Sequence, residues 1–203
     1  MLILRLLGYR TITPLAVKVL RRAAKDILMH ADTDLAQTYA TILETAILTH
    51  PAVATQLITP LSKLFVLALT PTQARERLLS LVRAIPLAVW SWYALGEVFA
   101  PDDPDNAVAC FAKVLSLSPT PSRTMRTREH LLNALMSQRD TSQYTYAKFE
   151  ALLIQEDRKE RNWRIKPPLL RHIQTLRDVL PASDTDQKAF YQRYASKADA
   201  LIL

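Results

Sequence analysis

Between residues 158 and 171 six cations surround one tryptophan: Arg158, Lys159, Arg161, Arg164, Lys166 and Arg171 flank Trp163. Basic side chains beside an aromatic ring can grip phosphates and stack a base. Glu156, Asp157 and Glu160 lie in the same run, and pairing along a helix can absorb several of those charges. Lys18, Arg21, Arg22 and Lys25 form a cleaner stripe. Their i, i+3, i+4, i+7 spacing gathers them on one side of a helix, opposite its apolar side. The two tracts are candidate contacts for nucleic acid or an acidic protein partner. The net charge of +7 is divided in the same way, with basic residues in excess over 1–31 and 122–171 and a mildly acidic stretch between. A positive surface that keeps the chain soluble is the plainer alternative.

Other chemistry is sparse. His30, His50, His130 and His172 are scattered, and none pairs with another His or a Glu at metal-binding helical spacing. Asp102, Asp103 and Asp105 cluster in "DDPD", a place where carboxylates cap the start of a helix and complement its dipole. Gly8 and Gly96 are the only glycines, so no glycine-rich phosphate cradle can form. Cys110 is the only cysteine, which excludes an internal disulfide and a Cys-based zinc cluster. Between Ala109 and Phe111 it reads as a small core residue. The chain is therefore expected to be non-enzymatic, without cofactor or metal.

The elements that must carry these residues read as helices. Apolar residues recur with a 3.6-residue period at Ala16, Leu20, Ala23, Ala24, Ile27 and Leu28. The same period runs through Leu35, Tyr39, Ile42, Leu43, Ala46 and Ile47, and through Ala74, Leu78, Leu81, Val82 and Ile85. Phe190, Tyr194, Ala198 and Leu201 repeat it near the end. Thr13-Pro14, Thr70-Pro71 and Asp103-Pro104 each pair a capping side chain with a proline suited to the first helical position. With 12 prolines between apolar segments and no Asn-Gly or Asp-Gly turn, the expected fold is all-α, with nine or ten helices. Helical segments 14–30 with 32–48, and 51–69 with 71–85, pair at compatible lengths. The apolar run from Pro51 to Leu69 carries Pro60 and Lys63 and reads as a buried helix, with no membrane crossing. The opening "MLILRLLG" is too short for a signal core and is interrupted by Arg5; a reducing cytoplasm is the expected compartment.

The stretch from Pro86 to Pro119 has more specific features. Trp92, Leu95, Gly96 and Phe99 lie on a first helix, Ala107 and Phe111 on a second, and Pro119 at the end. Bulky residues there fill the space between two helices, and a mid-helix glycine, unfavourable by about 1 kcal/mol against alanine, permits close approach. This resembles the tetratricopeptide repeat, whose pattern runs W-x2-L-G-x2-Y, then A-x3-F, then P. Two departures mark the copy as divergent: one residue is missing between Gly96 and Ala107, and Val114 stands where the family usually has alanine. A degenerate second copy spans 122–158, with Ala134, Leu135, Ala147 and Ala151 at its small and apolar positions. The resemblance implies a single domain over 1–203 of stacked helix-turn-helix hairpins, a divergent superhelix; an irregular helical bundle holding one such hairpin is the alternative. It also implies a concave groove lined by Trp90, Tyr93, Glu97 and Ala100, in which the two aromatics anchor a peptide.

A second resemblance rests on Trp163, Pro167, Tyr191, Tyr194 and Ala195. The stretches "RKERNWRIKPPLLRHI" and "FYQRYASKADALI" are similar to the C-terminal part of bacterial helical-repeat proteins associated with stress resistance and genome-conflict loci. The expected function is that of a scaffold or adaptor holding a protein partner in the groove. Nucleic-acid binding through the two basic tracts is the rival, and a subunit or regulatory part of a larger assembly is a third reading.

Overall fold

The computed structural model describes residues 14–118, 121–138 and 140–203, and there the chain is all-α. Ten α-helices are present among the described residues: α1 Pro14–His30, α2 Thr33–Thr49, α3 Ala54–Ala68, α4 Pro71–Ala84, α5 Val89–Phe99, α6 Pro104–Leu117, α7 Pro121–Ser137, α8 Tyr144–Glu160, α9 Pro167–Thr175 and α10 Asp184–Ala200. Short 3-10 turns, Pro51–Val53 and Thr141–Gln143, lead into α3 and α8.

The starts follow from the side chains that precede them. Thr70 accepts from the backbone N–H of Gln73, and the Gln73 side chain accepts from Thr70 in return, closing a capping box at α4. Asp103 accepts from Asn106 N–H at 3.1 Å, so this part of "DDPD" caps α6. Ser183 and Asp32 cap α10 and α2 in the same way. Thr13 and Pro119, expected at a cap and at a repeat end, fall outside the described residues.

The chain forms two compact units, one running to Val98 and the other from Phe99 to Leu201. In the first, α3 packs against α1, α2 and α4. Its core joins Leu20 and Ala24 of α1, Leu43 and Ile47 of α2, Leu57, Leu61, Leu64 and Phe65 of α3, and Leu78 and Val82 of α4, all buried. On α2 the buried face is Ala36, Tyr39, Ala40, Leu43, Ala46 and Ile47, so Leu35 is left 54% exposed in the first turn. Pro51–Ala68 is long and apolar enough, by length and composition, to cross a membrane, although the sequence reading denied it that. Its buried side chains are part of this core.

In the second unit α6, α7 and α8 pack in succession, and α7 with α8 forms the hairpin expected over 122–158. The segment 121–127, a weak candidate for a linker, opens helix α7. The last helix, α10, returns to α6 and also touches α8. A stacked array relies on contacts between neighbours, so this return closes the unit on itself. Lys113 of α6 pairs with Asp199 of α10 at 2.7 Å, and Gln143 donates to the Tyr194 hydroxyl at 2.7 Å. The Lys148 ammonium donates to the carbonyls of Leu176 and Arg177, which end α9. Phe190 stacks on Tyr146 with ring centroids 4.4 Å apart.

Trp92, Leu95, Gly96, Phe99, Ala107 and Phe111, the residues of the repeat pattern, are all buried. The Trp92 indole donates to the Pro86 carbonyl at 2.7 Å, satisfying its one polar atom inside the core.

Candidate ligand-binding surfaces

The basic stripe of α1 acquires a neighbour from elsewhere in the sequence. Lys18, Arg21, Arg22 and Lys25 line a depression of about 400 Å3 whose opposite wall is Thr59, Pro60 and Lys63 of α3. All five cations are exposed. Arg22 pairs with Asp26 one turn on, at 3.1 Å, and that pair is open to water. A second depression, of about 480 Å3, shares Lys25, Leu28 and Lys63 with the first. It continues past Met29 and Val66, which are 69% and 61% exposed, to Glu97 and Val98. The two make one groove between α1 and α3, cationic at one end and apolar at the other. Lys63 lies 38 positions beyond Lys25 and reaches the groove because α3 packs on α1.

The groove expected from the repeat resemblance is changed in composition. Tyr93 is buried, 2% exposed, and its hydroxyl donates to Glu97 Oε1 at 3.0 Å. It cannot anchor a partner from solvent, which corrects the expectation for that residue. Trp90 is 36% exposed and meets the Tyr93 ring edge-on at 5.9 Å. Glu97 stands in the wall of the α1–α3 groove, whereas Ala100 is half-buried in the second unit.

The second basic tract is divided by the end of α8. Arg158, Arg161, Trp163 and Lys166 line a basin of about 680 Å3 with Arg126, Glu129 and His130 of α7. Lys159 lines a different depression, beside Phe149 and Glu156. Arg164 and Arg171 are exposed outside the basin. Arg158 pairs with Glu129, and Arg161 with Asp157 at 2.8 Å. The internal pairing expected from Asp157 therefore forms, and α7 contributes a second acidic partner.

A buried polar cluster escaped the sequence reading. Arg128 of α7 donates to Glu150 of α8 and to the Tyr191 hydroxyl of α10, both at 2.8 Å. Gln187 donates to the other Glu150 oxygen at 2.7 Å, and the Tyr191 hydroxyl donates to that same atom. Burial pushes the Glu150 carboxyl above its ordinary range, and burial together with the Glu150 charge raises the Tyr191 phenol. Arg128, Gln187 and Tyr191 also form one wall of a cleft of about 350 Å3, whose apolar side is Leu115, Phe149 and Leu153. Glu150 had a signal: it lies among Ala147, Ala151 and Ile154, on the helix face that goes inward.

Among the described residues no three His, Cys, Asp or Glu side chains are grouped to hold a metal. His30 ends α1, and His130 lies against Phe111, with ring centroids 5.5 Å apart. Cys110 is fully buried.

No curated protein and no solved structure matches the chain. A family model described as a domain of unknown function, DUF7017, matches residues 60–198. The match begins inside α3 and takes in the whole Trp163 basin and the buried cluster, leaving α1 and α2 outside. It covers about two thirds of the sequence, and the chain belongs to the DUF7017 family.

Proposed function

We propose that this protein is a non-enzymatic scaffold that holds an acidic, partly apolar segment of a protein partner in the α1–α3 groove. The observation that carries the reading is the continuity of the groove through Lys25, Leu28 and Lys63. Lys18, Arg21 and Arg22 at one end take carboxylates, and Met29 and Val66 at the other take apolar side chains. An acidic amphipathic helix presents both in this order, and the cations speed its approach. Bare phosphodiester backbone would use the cations and leave Met29 and Val66 uncovered, and no aromatic ring lines the groove for a base to stack on. We read the hairpins at 86–119 and 122–158 as divergent tetratricopeptide-type units, supported by the buried pattern residues. Their role is then to supply the rigid frame; the return of α10 to α6 favours a closed bundle in the second unit.

Titration with a labelled peptide of alternating Glu and Leu helical faces tests this. Binding should weaken on Lys63→Glu and on Val66→Asp, whereas polyglutamate should respond to Lys63→Glu alone. If oligonucleotides bind the same residues more tightly than the peptide, with an affinity falling steeply with salt, the adaptor reading fails.

A further inference from the structure

We propose that the second unit carries a separate site, the Trp163 basin, which takes single-stranded nucleic acid with a base stacked on the indole and phosphates on Arg161 and Lys166. The ring is fixed by the way α8 ends. Asn162 adopts the left-handed conformation, φ 52°, and the chain doubles back. Its N–H reaches the Lys159 carbonyl at 3.1 Å, and Trp163 N–H reaches the Arg158 carbonyl at 2.8 Å. This pair of bonds is the Schellman arrangement, in which the residue after the left-handed one folds onto the last helical turn. Trp163 consequently sits 5.2 Å from the Arg158 guanidinium and 5.1 Å from that of Arg161, favourable distances for a cation on a ring.

These contacts leave the indole 54% exposed. Around it four cations, Arg126, Arg158, Arg161 and Lys166, share the basin with two carboxylates, Glu129 and Asp157, so the site has a positive balance. Its volume of about 680 Å3 lies within the ordinary range for a small-ligand site, roughly 300–1,000 Å3. An open π-face held by its own backbone beside guanidinium groups suits a strand whose bases are unstacked, since every base has a face to offer. A duplex hides those faces, and an acidic peptide would leave the ring unused. The site shares no residue with the α1–α3 groove, so either can fail without the other.

Anisotropy of labelled oligouridylate, oligothymidylate and a duplex of equal length, with the full chain at two salt concentrations, tests the proposal. Single strands should bind in preference to duplex. Trp163→Ala should weaken binding by about ten-fold or more, whereas Trp163→Tyr, which keeps an aromatic face, should retain most of it. Arg161→Glu with Lys166→Glu should lower the salt slope by about two. Circular dichroism and the urea midpoint establish that each variant folds; should Trp163→Ala misfold, Trp163→Tyr and the charge reversals decide the matter. Equal binding by native protein and a folded Trp163→Ala would overturn the site. So would loss of binding on Lys18→Glu with Arg21→Glu in place of the basin variants, equal affinity for duplex, or no binding at low salt.

Discussion

The Arg128 guanidinium donates to the Glu150 carboxylate at 2.8 Å with both side chains removed from water, 7% and 0% exposed. Three helices meet at this pair, because Tyr191 and Gln187 of α10 complete the hydrogen bonding of a carboxylate that α8 supplies and α7 faces. Removing one partner of a buried pair strands the other charge, at a cost of about 3–5 kcal/mol. Glu150→Leu and Arg128→Met should each lower the urea midpoint of the second unit's unfolding by a corresponding amount. The double variant should recover most of the loss, since a well-packed apolar replacement of a whole buried pair is often neutral or better. If the two losses simply add, the pair is not coupled as its geometry states.

His172 of α9 gives a pH dependence of known sign. Burial and then the neighbouring Arg171 charge lower its pKa in the folded chain. A base with a lowered folded-state pKa contributes stability above its unfolded value, about 6.5, and loses that contribution as the pH falls through the folded one. Stability should therefore decline on acidification from about pH 6.5, and His172→Gln should flatten the decline. The group is only half-buried, so the effect is small, and it is read as the difference in melting temperature between the two proteins across that window.

Period and capping carried most of the fold. Thr70-Pro71 and Asp103-Pro104 start helices as their side-chain chemistry requires, and the segments 14–30 and 71–85 are helices to within a residue. Sites were less legible, because they depend on which helix lies beside which. Lys63 gave no sign within its own segment that it would join the α1 cations, and Glu129 gave none that it would neutralise Arg158. Tyr93 looked like a groove residue in a pattern taken from another family, and burial removed it. Glu150 was legible in principle: a carboxylate on the Ala147–Ala151–Ile154 face has to be buried, and a buried carboxylate needs a cation.

Cys110 should resist chemistry while the fold lasts. It is fully buried, and burial, followed by the Asp103 carboxylate, pushes its thiol pKa up. The reactive species is the thiolate, so a thiol-directed reagent at mildly alkaline pH should label the native chain hardly at all. Labelling should rise in step with unfolding as urea is added. Fast labelling of the native protein would mean that α6 opens locally well below the global transition.

Asn162 sets a direct test of how Trp163 is held. A residue with a β-carbon pays roughly 1–2 kcal/mol in the left-handed region, and Asn bears it better than most. Asn162→Gly should leave stability unchanged or slightly raised, since glycine suits the left-handed cap. Asn162→Ala should lose about 1 kcal/mol and loosen the two cap bonds together. The indole would then leave Arg158 and Arg161, and its emission should shift to the red in a chain where Trp90 and Trp92 have been replaced by phenylalanine. The same variant should weaken single-strand binding while Asn162→Gly keeps it. An unchanged emission spectrum in Asn162→Ala would show that the two guanidinium groups, and not the backbone cap, hold the ring in place.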